Sequence, residues 1–134
     1  MRTMADTGPK PSVVLFVADV RGLSRFYREV AAMEVIHDAA DHVVLEVSGF
    51  QLVVHALRGA PRADPGSHGK VLPREDTYMK ICLPVASLAS ARIKAAELGG
   101  LLRPPKHEWQ ARGFRACDGH DPEGNILQLR ETAT

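Results

Sequence analysis

Apolar positions along the chain recur at two spacings, and each change of spacing marks a new element. Ser12–Val17 is a β-branched apolar run that reads as a strand. Asp19 then stands as an N-cap, and Val20, Leu23, Phe26, Tyr27 and Val30 follow at helical spacing. Strand-like stretches come next at Glu34–His37, His42–Val47 and Phe50–Leu57, the last two joined by a tight turn at Ser48-Gly49. The same order then returns. Lys80–Val85 is a second apolar run, Ser87 is a cap, and Leu88, Ala91, Ala95 and Leu98 carry the helical period. Gly99-Gly100 closes this helix, and strands are predicted near Leu101–Arg103, Gly113–Cys117 and Asn125–Arg130.

Each half therefore reads β-α-β-β-β, and the halves are in register. Ser12 to Lys80 and Asp19 to Ser87 are both offset by 68, whereas Gly49 and Gly124 stand 75 apart. The second half holds correspondingly more loop, which fits into Pro104–Arg112, where Trp109 lies. The first module spans about 12–57 and the second about 77–131. Between them Arg58–Asp76 is broken by Gly59, Pro61, Pro65, Gly66, Gly69 and Pro73 and reads as a linker.

Composition narrows the function classes. The 134 residues suit a single domain, and 45% hydrophobic with 25% charged residues is ordinary for a globular protein. A net charge of +1 and 5% aromatic residues give no argument for nucleic acid or an anionic membrane. No run approaches the roughly 18 apolar residues of a membrane span. Two cysteines and an N-terminal Met1–Pro11 without an apolar stretch lead us to expect a cytoplasmic protein. Six histidines are the one count that invites a metal.

The repeat itself, Leu15-Phe16-Val17-Ala18-Asp19-Val20 leading into Phe26-Tyr27, and Asp121-Pro122-Glu123-Gly124-Asn125 near the end resemble the vicinal oxygen chelate superfamily. That superfamily includes glyoxalase I, extradiol dioxygenases, fosfomycin-resistance thiol transferases and bleomycin-resistance proteins. The resemblance covers roughly Ser12 to Glu131 and implies an α+β fold of two βαβββ modules in tandem, forming a curved mixed-sheet cleft. It leaves the activity open, because this fold hosts several chemistries. The Asp-Pro-Glu-Gly stretch needs no more than a hairpin turn to explain it.

In metal-using relatives the cation is held from the first and last strands of each module. The corresponding positions here are Ser12, Val53, Lys80 and Gln128. A lysine ammonium has no lone pair to give and valine has no donor, so only Gln128 resembles a ligand. The resemblance therefore implies a member without the metal, and no cofactor is expected. A divalent metal held by Gln128 with donors such as His55 or Glu46 is the other reading. His37 and His42 flank the Asp38–Asp41 turn, His68 lies in the linker and His107 in a loop, where all four read as solvated. His120 reads as bonding across its hairpin. The resemblance also implies that the last strand of the second module lies between the strands of Cys82 and Cys117, which would separate them by about 9–10 Å, so packing is expected rather than a disulfide.

The implied cleft collects Ser12, Val14, Phe16, Val53 and His55 from one module and Lys80, Cys82, Pro84, Gln128 and Arg130 from the other. Trp109 is either a lid or a plug for its own loop. We expect ligand binding by Ser12, Phe16, Val53, His55, Lys80, Trp109 and Gln128. The expected function is metal-free binding of a small organic molecule bearing a carboxylate, carbonyl or phenol, in a homodimer, without nucleic acid or membrane. The alternative is an enzyme: a lyase, isomerase, dioxygenase or thiol transferase, with non-standard metal ligands or with Lys80 or His55 as acid or base.

Overall fold

The computed structural model describes residues 8–58 and 71–133. In the first module β1 (Ser12–Val17) leads into α1 (Val20–Val30), followed by β2 (Glu34–Asp38), β3 (His42–Val47) and β4 (Phe50–Ala56). The second repeats this with β5 (Ile81–Pro84), α2 (Leu88–Glu97), β6 (Leu101–Leu102), β7 (Trp109–Gln110), β8 (Phe114–His120) and β9 (Ile126–Thr132). The fold is α+β, two βαβββ modules in tandem. The sheet orders are β1-β4-β3-β2 and β5-β9-β8-β6, and in each the first strand runs parallel to the last.

Local chemistry explains the elements. Asp19 caps α1 by accepting from the Gly22 N–H at 2.9 Å, and Ser87 caps α2 by accepting from Ser90 at 3.1 Å. Ser48 and Gly49 both have positive φ, the requirement of the two-residue hairpin turn that sets Val47 opposite Phe50. Leu23, Phe26 and Tyr27 of α1 bury against Val43, Leu45, Leu52 and Val54, alternate residues of β3 and β4. In the second module Leu88, Ala91 and Ala95 face Leu83, Leu127 and Leu129. Each helix thus covers one face of its sheet and leaves the other open.

Three expectations change. The strand predicted to end at Cys117 continues to His120 as β8. The stretch Pro104–Arg112 is more than a loop: Pro105–His107 forms a 3-10 turn, and β7 pairs with β8, setting Trp109 opposite Ala116. The extra residues have split an edge strand into β6 and β7, and an edge tolerates this because only one of its sides is paired. Lastly, Cys82 is exposed and only Cys117 packs in the core; both are free thiols, on β5 and β8 with β9 between them.

Residues 59–70 of the linker, His68 among them, lie outside the described residues. Its later part docks on the turn between β8 and β9, with the Arg74 N–H donating to the Gly124 carbonyl at 2.7 Å. Glycine is required there twice over. Gly124 has φ +84, and a Cβ would stand 2.2 Å from the Leu72 carbonyl oxygen.

That same turn joins the modules, which a turn-only reading of Asp-Pro-Glu-Gly did not anticipate. Asp121 is fully buried and accepts from the Tyr27 hydroxyl of α1 at 2.7 Å, from the Asn125 side chain at 2.9 Å, and from the backbone N–H groups of Glu123 and Asn125. Glu123 accepts from the Ala18 and Asp19 N–H groups at 2.9 and 2.7 Å, placing a carboxylate at the start of α1. Burial pushes the Asp121 carboxyl above the usual carboxylate range, against the hydrogen bonds from Asn125 and Tyr27. Burial, with Asp121 beside it, also pushes the Tyr27 phenol well up.

We expect Tyr27→Phe to cost about 1–2 kcal/mol, and Asp121→Ala about 3–5 kcal/mol because it orphans several buried donors at once. Denaturant titration measures both. Since the folded pKa of Asp121 lies above its unfolded value, this group favours folding at low pH and the contribution is lost as pH rises through the raised value. The stability deficit of Asp121→Asn relative to the natural chain should therefore shrink on going from acid to neutral pH. A deficit that grew instead would mean that the carboxyl is not raised.

Candidate functional site

The pleat sorts the expected site residues onto the two open faces. On the first sheet, register places Ser12, Gln51 and Glu46 in one row across β1, β4 and β3, then Val14, Val53 and Val44, then Phe16, His55 and His42. On the second, one row holds Cys82, Gln128 and Asp118, and the next holds Pro84, Arg130, Ala116 and Trp109. Ser12, Phe16, Val53 and His55 thus share the first sheet, while Lys80, Gln128 and Trp109 belong to the second. Their hydrogen bonds and ring contacts stay within each sheet.

Lys80 is committed to a partner that sequence reasoning missed. Its Nζ donates to Asp118 Oδ2 at 2.8 Å, and the Gln128 amide donates to Asp118 Oδ1 at 3.1 Å. Arg130 Nε in turn donates to Gln128 Oε1 at 2.7 Å while its guanidinium lies 4.4 Å from the Phe114 ring centroid. Ending the predicted strand at Cys117 left Asp118 off the open face. A matching set occupies the first sheet, where Lys10 and Gln51 both donate to Glu46 at 2.9 Å.

These contacts bear on the metal that the fold family implies. Of the four positions, Val53 has no donor, Lys80 is a cation bound to a carboxylate, and the Gln128 oxygen already accepts from Arg130. The Ser12 hydroxyl alone is no transition-metal site, so these residues do not fit the cation.

Beside Lys80 opens a cleft of about 530 Å³, between the segment Pro73–Lys80 and the β6–β8 edge. Its polar wall includes Lys80, Arg103, Asp118 and His120, and its apolar wall Met79, Leu101 and Ile126. His120 does not bond across its hairpin. Its Nδ1 lies 2.9 Å from the carbonyl oxygen of the adjacent Asp121, which leaves Nε2 available. The later linker segment therefore lines a cleft as well as connecting modules. Trp109 is 40% exposed and anchored by its neighbour Glu108, which accepts from Arg92 at 2.6 Å and Arg115 at 2.7 Å. The Arg115 hydrogen bond, with Arg92 supporting it, holds the Glu108 carboxyl below its ordinary range.

The first sheet carries a second polar group. His42 stacks on His55 with ring centroids 5.5 Å apart, and Phe16 and His37 extend the row of rings. His37 and His42 are strand residues beside the turn, His37 exposed in β2 and His42 half-buried at the start of β3. The hairpin turn made this pairing legible: His42 is six residues before Ser48 and His55 six after Gly49. Asp41 lies beside the rings, and its hydrogen bond with His42 holds the carboxyl below the usual carboxylate range.

Residues 12–129 match the family model of the glyoxalase-like domain. No curated protein matches the chain. Among solved structures, the fosfomycin resistance protein FosX from Listeria monocytogenes, complexed with Mn(II) and 1S,2S-dihydroxypropylphosphonic acid, is 17% identical with a TM-score of 0.62, over 95% of this chain and 91% of that one. A glyoxalase/bleomycin resistance protein/dioxygenase family enzyme from Burkholderia phytofirmans is 13% identical with a TM-score of 0.63, over 91% and 97%. An integron cassette protein from the mobile metagenome of V. cholerae is 19% identical with a TM-score of 0.60, over 94% and 96%. At these identities the likeness is one of fold. Among the described residues no helix is long and apolar enough to cross a membrane.

Proposed function

The chain belongs to the glyoxalase-like domain family, and on that premise we propose that it binds a small organic molecule without a metal at the family's four positions. The observation that carries this reading is the cleft of about 530 Å³ beside Lys80, whose polar wall sets Lys80, Arg103 and His120 beside the carboxylates of Asp118 and Glu75 and whose other wall is apolar. Lys80, Arg103 and the Nε2 of His120 would receive a carboxylate, carbonyl or phenolate, while Met79, Leu101 and Ile126 take the hydrocarbon part. Arg130 donates to Gln128, Gln128 donates to Asp118 and Asp118 holds Lys80, while Trp109 stands on the same face as an aromatic edge. The acid–base reading has less support. Lys80 is ion-paired, and His55 stands on the other sheet.

Ser12, Phe16, Val53 and His55 enter this reading as the wall that a second copy of the chain would bring to the cleft. Val14 and Phe16 are 48% and 53% exposed on the open face of the first sheet, apolar surface that a homodimer would cover. Light scattering at micromolar concentration should then give twice 14.6 kDa, and a monomer would remove the dimer from the account.

The ligand test is a melting-temperature screen of small carboxylates and phenols. A binder should raise the melting temperature in the presence of EDTA and should lose about 1.5–3 kcal/mol of affinity in Lys80→Met. The ion pair with Asp118 is partly exposed, so that substitution should itself cost no more than about 1 kcal/mol of stability. Equal affinity for the two proteins would remove Lys80 from the site.

A further inference from the structure

The group on the first sheet has donor chemistry that the four family positions lack. Asp41, His42 and His55 each offer a ligand atom, and these atoms lie within 4.8 Å of one another. We propose that this group is a binding site for a divalent transition metal of the zinc and cobalt class, held by two imidazoles and one carboxylate with water completing the shell. The inference does not depend on the ligand reading of the second sheet.

Three observations carry it. The first is orientation. His55 Nδ1 lies 2.9 Å from the Ala56 carbonyl oxygen, a contact in which the ring must donate. That fixes the tautomer, so Nε2 carries the lone pair, and it points to Asp41 Oδ2 at 3.8 Å. A metal-bound imidazole commonly has this arrangement, with its other nitrogen donating to a backbone carbonyl. Secondly, the backbone is already fixed. His42 and His55 are direct cross-strand partners, and the Ala56 N–H donates to the Asp41 carbonyl at 2.8 Å. The turn before Asp41 is tied down by Arg21, whose Nη1 donates to Asp38 at 2.6 Å.

The third observation is spacing. Ligand atoms around a tetrahedral ion at about 2.0–2.2 Å stand roughly 3.3–3.6 Å apart. His42 Nδ1 and Asp41 Oδ1 are 2.7 Å apart, and His55 Nε2 and Asp41 Oδ2 are 3.8 Å apart. The Asp41 side chain is exposed and can swing between the two rings, and a bound metal would take the place of the His42 Nδ1 proton that now bonds Asp41. Two nitrogens and one oxygen favour a borderline cation over magnesium or calcium, which take oxygen alone.

The test uses the full chain without an affinity tag, titrated with Co(II) and followed by visible absorption, and with Zn(II) by calorimetry. One equivalent of each should bind, and His42→Ala and His55→Ala should each weaken binding by at least about tenfold. His107→Ala, on the exposed 3-10 turn, should bind as the natural chain does. Imidazole ¹⁵N spectra of the unsubstituted chain give a readout independent of variant folding: Zn(II) should shift the ring nitrogens of His42 and His55 and leave those of His120 in place. Absence of saturable binding, or equal losses in His107→Ala and His55→Ala, overturns the proposal, as do shifts centred on His120.

Discussion

The junction between the two modules rests on how one buried carboxylate is satisfied. Asp121 lies in the turn between β8 and β9, fully removed from water, and its oxygens are shared between its own turn and the Tyr27 hydroxyl of α1. A buried carboxyl without donors would be costly, so the turn and the helix are held to one relative position. Glu123 ties the same turn to the first backbone N–H groups around the α1 cap. Module-to-module geometry is thus set by these polar contacts together with the apolar core that the two modules share.

With that junction set, the pleat does the rest. Each helix claims one face of its sheet for the core, and alternation sends the other side chains to the open face. Both open faces then carry a lysine, a carboxylate and a glutamine in contact: Lys10, Glu46 and Gln51 on the first sheet and Lys80, Asp118 and Gln128 on the second. Each carboxylate is thus engaged by its own lysine and glutamine, while the Lys80 ammonium keeps further N–H groups for a ligand. The imidazoles stand in a different row of the first sheet, where Phe16, His55 and His42 lie side by side.

Legibility in the sequence followed the range of the interactions. The caps at Asp19 and Ser87, the helical faces and the Ser48-Gly49 turn are local, and their residues alone predict them. The family's motifs carried the strand order, which no local spacing encodes. Contacts set by register were accessible only in part. The turn at Ser48-Gly49 is tight enough that His42 could have been counted onto His55, whereas Asp118 was hidden by a strand end placed too early. The partnership of Tyr27 with Asp121 spans 94 residues and has no sequence signal. Neither has the docking of Arg74 on Gly124, which makes the later linker a wall of the cleft.

On this reading the open face of the second sheet, beside Lys80, receives the ligand. Backbone amide NMR of the ¹⁵N-labelled chain, titrated with a small aromatic carboxylate that stabilises it, tests this most directly. The account predicts shifts concentrated at Lys80, Leu101, Asp118 and His120, on the walls of that cleft. Shifts centred instead on the helical faces, around Glu29, Ser90 and Lys94, would contradict it.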